Sequence, residues 1–390
     1  MTGRVRRDCP GVGAELERVG AAVFGSLRRS DQRRWAGVYV RGLLAGTGRP
    51  SARRLAQGVP VGRADQALQQ FVGHSPWDPG PVRRALAGAA EELFRPAAWV
   101  AVEVAFTKDG RLSPGVDRQY VRRLGRVANC QVGMAIVLAD AHRALPVQWA
   151  LMLPPAWDAD PARRARARVP DHEVNRPAWR HALDATDTVA GWPGVAPAPL
   201  VCESATAPAA LALGAELGER RQEYATEVPG ALPVRPPGAE RPRPLAELVV
   251  RTGRRRTVLL TGPSGRPSRS QYVVLPVEAA GRPRGPGGDP IGAERLVALA
   301  EWPHSAPEPR CFWVTNLTER PVEDLVALIR MRDVAARAVG EMLDGCGLGG
   351  YEGRSHPGWH HHVTLASVAY AVALAHEARC TEGPCAQGRR

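Results

Sequence analysis

Residues 99–106 are the stretch that most limits what this chain can fold into. Valines recur there at every second position among other β-forming residues, Pro96 stands before the stretch, and a charged turn ending at Gly110 follows it. This pattern predicts a β-strand. Both of its faces are apolar apart from Glu103, as in strands at the centre of a sheet that is covered on both sides. A carboxylate in such a place is either paired or functional.

The chain carries a large excess of positive charge. It has 390 residues with a formal net charge of +13, and Lys108 is the only lysine among 52 basic residues. An excess of this size favours contact with nucleic acid, although a GC-rich coding sequence would also enrich arginine. A chain of this length can hold two or three domains, each with its own core.

Targeting and cysteine signals are absent from the sequence. No apolar run of about eighteen residues occurs, and no apolar segment follows the basic residues 1–10. These features indicate a cytoplasmic protein that does not contact a membrane. The 7 cysteines are scattered and include no CxxC pair, so neither a disulfide framework nor a zinc site is expected.

Several segments along the chain resemble the bacterial insertion-sequence transposases of the DDE superfamily. They are residues 68–78, 106–110, 113–116, 118–120, 125–132, 149–154, 349–354 and 358–365. The resemblance extends over roughly residues 15–376 and is weakest across 228–303. It implies an α/β protein with an RNase H-like core, a helical N-terminal domain and a β-rich insertion, and it implies duplex DNA as the partner.

Composition and the resemblance together divide the chain into four regions. They are a helical N-terminal domain at 1–95, the first part of the core at 96–227, the insertion at 228–303, and the second part of the core with C-terminal helices at 304–390. The Gly-rich stretch 281–288 is expected to be flexible. In the family the helical domain helps to hold DNA. A plain helical bundle is an equal alternative, with arginines such as Arg83 and Arg84 on a solvated face.

The chemistry that the resemblance implies needs three carboxylates around two magnesium ions that lie about 3.5 to 4 Å apart. The family's three metal-binding positions fall at Val102, Glu203 and Ala336. Only Glu203 is acidic, and magnesium demands near-octahedral oxygen ligation, so each lost acid removes a ligand. We therefore expect no cofactor if the triad is lost. If nuclease activity remains, we expect magnesium or manganese with Glu203 as a ligand.

Two nearby acids are candidates to replace the missing ones. Glu103 follows Val102 directly, but neighbouring residues of a strand point to opposite faces, which argues against it. Asp333 lies three residues before Ala336 on nearly the same helical face. One helical turn nevertheless displaces its carboxylate by about 4 to 5 Å. The sequence thus predicts a degenerate catalytic triad.

The family also shares the run of three histidines at residues 360–362. Consecutive helical residues point about 100° apart and cannot chelate one ion. His356 precedes Pro357, which favours a loop or cap over a helical partner. We expect a structural role for the run, with His361 as the candidate that joins the two glutamates in the former active-site cleft.

Four arginines are candidate DNA contacts. Arg163, Arg164 and Arg166 form a basic cluster, and Arg332 is retained from the family's third-acid motif. A helix that carries the cluster would project charge in several directions, which commonly serves solubility. The resemblance gives the same cluster a DNA-facing role.

Three functions remain open at this point. The first is a transposase-derived DNA-binding protein that has lost metal-dependent strand cleavage. The second is a transposase fold repurposed as a small-molecule enzyme of specialised metabolism. In it Glu103, whose pKa is raised by its apolar strand, serves as general acid or base. The third is an active transposase with a shifted triad of Glu103, Glu203 and Asp333.

Overall fold

The strand expected at residues 99–106 is β1 (Ala98–Thr107), which lies inside a large sheet in the computed structural model of the protein. The structure describes residues 11–45, 51–55, 64–252, 254–261, 267–280, 295–303 and 306–382. Residues 1–10 and the stretch 281–288, on which two of the expectations rested, lie outside these ranges.

The other strands of the described ranges are β2 (Asp117–Val121), β3 (Arg126–Ala139), β4 (Ala144–Met152), β5 (Leu200–Glu203), β6 (Tyr224–Val228), β7 (Pro233–Arg235), β8 (Arg243–Pro244), β9 (Arg255–Thr261), β10 (Pro267–Ala279), β11 (Arg295–Trp302) and β12 (Cys311–Thr315). The helices are α1 (Val12–Phe24), α2 (Ser30–Ala45), α3 (Ala52–Leu55), α4 (Ala64–Gly73), α5 (Pro79–Phe94), α6 (Pro155–Asp158), α7 (Pro161–Ala167), α8 (Ala178–Ala190), α9 (Ala207–Glu219), α10 (Leu245–Thr252), α11 (Val322–Gly345) and α12 (His356–Glu382).

All of these strands join one sheet. Its order is β2-β3-β1-β5-β6-β12-β11-β10-β7-β8, with β4 on β3 and β9 on β10. Strand β3 is antiparallel to β1 and β4, whereas β1, β5 and β6 run parallel. The segment β4-β3-β1-β5-β6 is the expected RNase H-like core, so the α/β fold class is confirmed. Strand β12 pairs with β6 and with β11, and β10 pairs with β11 and β9. Strands β9 to β11 therefore extend the same sheet.

A hairpin of residues 117–130, formed by β2 and the start of β3, was not expected as a pair of strands. A 3-10 turn at Arg122–Leu124 connects them, and Gly125 follows it with a φ of 61°, a left-handed conformation that favours glycine. Val121 and Ala128 lie on the inner face, within a small apolar cluster of their own. The hairpin therefore buries only one of its two faces.

Helix α12 is buried along most of its length and packs against α1, α2, α4, α5 and β4. Its Trp359 meets Phe106 and Trp149 edge-on, with ring centroids 5.9 and 6.4 Å apart. A Cβ atom added at Gly133 of β3 would lie 3.0 Å from the Trp359 ring, so a larger residue there would press on the ring. Neither α12 nor any other helix of the described ranges is both long and apolar enough to cross a membrane.

Helix α12 begins at His356, so the expectation that this residue lies in a loop or cap and not beside a helical partner is wrong. Pro357 is tolerated because the first turn of a helix leaves backbone N–H groups unpaired in any case. Nε2 of His356 lies 3.3 Å from Nε2 of His360, one turn later. The two rings therefore form a pair in which His356 is buried and His360 is partly buried.

Candidate functional site

A cleft opens where β1 and β5 separate. The two strands pair only at Trp99 and Val100 of β1, and their carboxyl ends then diverge around a cavity of about 530 Å³. Ligands of open α/β sheets commonly bind at such carboxyl ends. We call this cavity the carboxylate cleft. Its charged lining residues are Glu103, Arg122, Arg123, Glu203, Arg332 and Asp333.

The three positions at which the family carries metal-binding acids all line the carboxylate cleft: Val102, Glu203 and Ala336. Val102 is only 7% exposed, whereas Glu103 is exposed toward the cleft. Glu103 therefore lines the same cleft as Val102, and its replacement of the lost acid stays a prediction. Strand β5 pairs with β1 only as far as Val100, which leaves the following residues of β1 uncovered at the rim.

Glu203 is neutralised by an arginine of the 117–130 hairpin. Nη1 of Arg122 lies 2.5 Å from Oε1 of Glu203, with side-chain exposures of 51% and 44%. An ion pair this exposed contributes about 1 kcal/mol or less to stability. Its main effect is electrostatic, because a guanidinium occupies the space beside the carboxylate where a metal ion would be needed.

Glu103 has no hydrogen bond or ion pair to any other residue that the structure describes. Loss of solvation raises the pKa of its carboxyl group, the Glu203 carboxylate raises it further, and Arg122 opposes both. The raised pKa expected from the sequence is confirmed in direction. Such a carboxyl group holds its proton closer to neutral pH than an ordinary glutamate does.

Arg332 and Asp333 reach the carboxylate cleft from α11. The Arg332 guanidinium contacts the carboxylate of Glu227 and lies over the Trp313 ring, 5.1 Å from its centroid. Nη2 of Arg332 is also 3.4 Å from Oδ1 of Asp333, whose side chain is 65% exposed. Arg332 can therefore meet a DNA phosphate only by giving up contacts to protein carboxylates.

The side chains of the carboxylate cleft do not fit a two-metal centre. Among the described residues, no three His, Cys, Asp or Glu side chains form a group that could hold a metal ion. Two of the family's positions carry the apolar Val102 and Ala336, and Glu203 is paired with an arginine. The converging oxygen ligands that magnesium requires are therefore not assembled.

His361 lies outside the carboxylate cleft, so its assignment there is wrong. Its Nδ1 is 2.8 Å from the carbonyl oxygen of Val72, and its Nε2 is 2.8 Å from that of Trp77. The ring stacks on the Trp77 indole with centroids 4.0 Å apart. The 100° advance of each helical residue turns His361 toward the N-terminal helices, and it joins them to α12.

A second cavity, of about 740 Å³, is strongly basic. We call it the arginine groove. Its charged lining residues are Arg111, Arg118, Arg163, Arg166, Arg354, Asp117 and Asp160. Five arginines thus face two aspartates, whereas the carboxylate cleft has three arginines and three acids. Within the described residues, the guanidinium groups of Arg111, Arg118, Arg166 and Arg354 have no protein partner and are exposed.

The predicted arginine cluster is divided between the arginine groove and the protein interior. Arg163 and Arg166 line the groove, and the Arg163 guanidinium stacks on Trp157 at 4.1 Å from the ring centroid. Arg164 instead donates to the carbonyl oxygens of residues 170 and 173 and is 12% exposed. Arg166 is therefore exposed in the groove, Arg163 also donates to the carbonyl oxygens of residues 111 and 116, and Arg164 faces the protein.

Arg83 is a buried residue, so the solvated-face interpretation is wrong for it. It is 4% exposed, and it donates to Thr364 Oγ1 at 2.8 Å, the Trp149 carbonyl at 2.9 Å and His360 Nδ1 at 3.0 Å. Burial lowers the pKa of its guanidinium to about 9, so it is charged at neutral pH. The sequence could have indicated this burial, because Arg83 lies four residues before Ala87 and therefore on the same face of α5. Ala87 is buried.

A family model described as DDE superfamily endonuclease matches residues 22–282, well over half of the chain. No curated protein is significantly similar to the chain. The matched segment includes Val102, Glu103 and Glu203 of the carboxylate cleft and Arg163 and Arg166 of the arginine groove, while α11 and α12 lie beyond it.

Proposed function

Because the chain belongs to the DDE superfamily of endonucleases, we propose that it is a transposase-derived DNA-binding protein that no longer cleaves DNA with metal ions. The observation that carries the proposal is the ion pair between Arg122 and Glu203. The one acid kept at a metal-binding position has a guanidinium as its partner. The other two positions, Val102 and Ala336, offer no oxygen ligand.

The charge distribution supports DNA binding beside the carboxylate cleft. The cleft carries equal numbers of arginines and acids, whereas the arginine groove has an excess of positive charge. Four of its guanidinium groups are exposed and are not engaged by the described protein. Phosphate contacts supply most sequence-independent affinity for DNA, so the groove is the surface that we expect to follow the backbone of duplex DNA.

Fluorescence anisotropy with labelled duplex DNA over a salt series tests the proposal, with magnesium or manganese present and the DNA examined afterwards for nicks. We expect salt-sensitive binding and intact DNA. Each arginine that meets a phosphate contributes about 0.9 to the slope of log K against log salt. Arg118→Ala and Arg166→Ala should each lower the slope by about that amount.

Arg295→Ala is the matched control, because Arg295 is an exposed arginine on β11 that does not line the arginine groove. It should leave the slope unchanged. Equal slopes for wild type, Arg118→Ala and Arg166→Ala would remove the groove from the interface. Metal-dependent nicking would contradict the loss of cleavage.

A second candidate function, small-molecule catalysis in the carboxylate cleft, is favoured by the environment of Glu103. Its pKa is raised, much of the cleft wall is apolar, and the hydroxyl of Ser204 is buried there without a hydrogen-bond partner among the described residues. A mostly apolar cavity with a few polar groups is typical of small-molecule sites. A thermal-shift screen should find compounds that stabilise wild type but not Glu103→Gln. Equal shifts for both proteins would count against Glu103.

The third hypothesis, an active transposase with Glu103, Glu203 and Asp333 as its triad, requires Arg122 and Arg332 to leave their carboxylate partners. Metal-dependent nicking that Asp333→Ala abolishes would support this hypothesis over the first. Nicking that persists in Asp333→Ala would assign the activity elsewhere.

A further inference from the structure

The outer face of the 117–130 hairpin carries exposed apolar groups beside Arg118. Tyr120 is 63% exposed, Val127 49% and Leu124 44%. Arg118 shares this face with Tyr120, whereas Arg122 and Arg123 line the carboxylate cleft and Arg126 stands opposite Val121 of the inner face. A soluble protein that leaves a tyrosine, a leucine and a valine in the solvent on a single hairpin presents an apolar patch, and such patches commonly mark an interaction surface.

The hairpin face is continuous with the arginine groove. Tyr120 stands opposite Val127 in the β2–β3 pairing, and Arg118 stands opposite Asn129. Residues two apart on a strand share one face and lie about 7 Å apart. Arg118 and Asn129 both line the groove. Tyr120 and Val127 are the next pair on the same face, closer to the tip of the hairpin.

The inner face explains why the hairpin does not need Tyr120 for folding. Val121, Ala128 and Cys130 are buried there with Val132 in an apolar cluster. Side chains of successive residues alternate between faces, so Tyr120 makes no contribution to that cluster. The exposed ring is therefore free to meet a ligand.

We propose that Tyr120 is a stacking platform for an unpaired base of a nucleic acid whose backbone follows the arginine groove. Every base has a π-face, so stacking on an aromatic side chain is tolerant of sequence, and flanking arginines neutralise the phosphates. Arg118 on the same face and the arginine groove that adjoins it fit a polyanion and disfavour a basic or neutral apolar partner. The inference rests on the proposed function, because it requires DNA in the groove.

Two labelled probes of equal length test the inference: an intact duplex, and the same duplex with a short single-stranded gap. Wild type should bind the gapped probe more tightly, and Tyr120→Ala should lose about tenfold in affinity for it. Tyr120→Phe keeps the ring and should retain the preference. Because stacking is not an ionic contact, Tyr120→Ala should keep the wild-type salt slope, whereas Arg118→Ala should lower it.

Leu259→Ala is the matched control, since Leu259 is 69% exposed on β9 and does not line the arginine groove. It should bind both probes like wild type. If wild type binds both probes equally, or Tyr120→Ala keeps the preference for the gap, the stacking role is overturned while DNA binding stands. If wild type binds neither probe, the proposed function and the stacking role both fail.

Discussion

Replacing Arg83 by methionine should destabilise the protein strongly although the residue lines neither the carboxylate cleft nor the arginine groove. Methionine has a similar length and is apolar, so it fills the space of the arginine stem without its donors. Two buried acceptors, Thr364 Oγ1 and the Trp149 carbonyl, and two partly buried ones, His360 Nδ1 and Gln148 Oε1, would lose the guanidinium that now lies within 3.0 Å of each.

The magnitude follows from those contacts. A hydrogen bond from a charged donor contributes about 1.5 to 3 kcal/mol, and an acceptor left buried without a donor costs about 1 to 3 kcal/mol. Removal of a buried charge that has no carboxylate partner offsets part of this cost. We expect a net loss of about 3 kcal/mol in the free energy of unfolding, or a Tm lower by about 4 °C.

Urea unfolding followed by circular dichroism measures this loss. Arg84→Met is the control, because Arg84 is the next residue of α5 and is exposed. It should change stability by about 0.5 kcal/mol or less. The stability of Arg83→Lys should fall between those of the two methionine variants, because a lysine ammonium cannot reproduce the planar set of N–H donors of a guanidinium. Equal midpoints for Arg83→Met and Arg84→Met would refute the account of Arg83 as the link between α5, β4 and α12.

Three further outcomes are expected. Burial lowers the pKa values of His356 and His362 to about 4. Unfolded histidines take up a proton near pH 6.5, so the stability that these two contribute is complete above about pH 6.5 and declines toward pH 4. Urea midpoints that stay constant from pH 7.5 to 5 would contradict this. Gly133→Ala should destabilise the protein by about 1 to 3 kcal/mol in the same assay, because its Cβ would press on the buried Trp359 ring; a neutral result would mean that the ring can move. Removal of divalent metal with EDTA should leave both Tm and DNA affinity unchanged, and a large shift in either would mean that a metal is bound.

The central strand could be predicted from the sequence because its signal is local. Alternating valines define β1 without reference to the rest of the chain. The outer strand β2 was missed because only one of its faces is buried and its exposed face carries arginine and tyrosine. From the sequence alone, without knowledge of the partner strand, that composition predicts a loop.

The candidate site could be predicted only in part. The resemblance predicted that Val102, Glu203 and Ala336 share one cleft. The pairing of Glu203 with Arg122 could not be predicted, because it depends on a hairpin far away in sequence. The position of His361 likewise depends on how α12 is rotated against the N-terminal helices. Neither relation leaves a pattern in the local sequence, because each arises from tertiary packing.

Helix α12 is synthesised after all the other elements described, yet α1, α2, α4 and α5 pack against it. A nascent chain that ends before His356 must keep the apolar faces of those helices open to solvent or to a chaperone. Exposed surface of this kind promotes aggregation during synthesis. Completion of the N-terminal helical layer is therefore a late event, and the first helices made are among the last to reach their final packing.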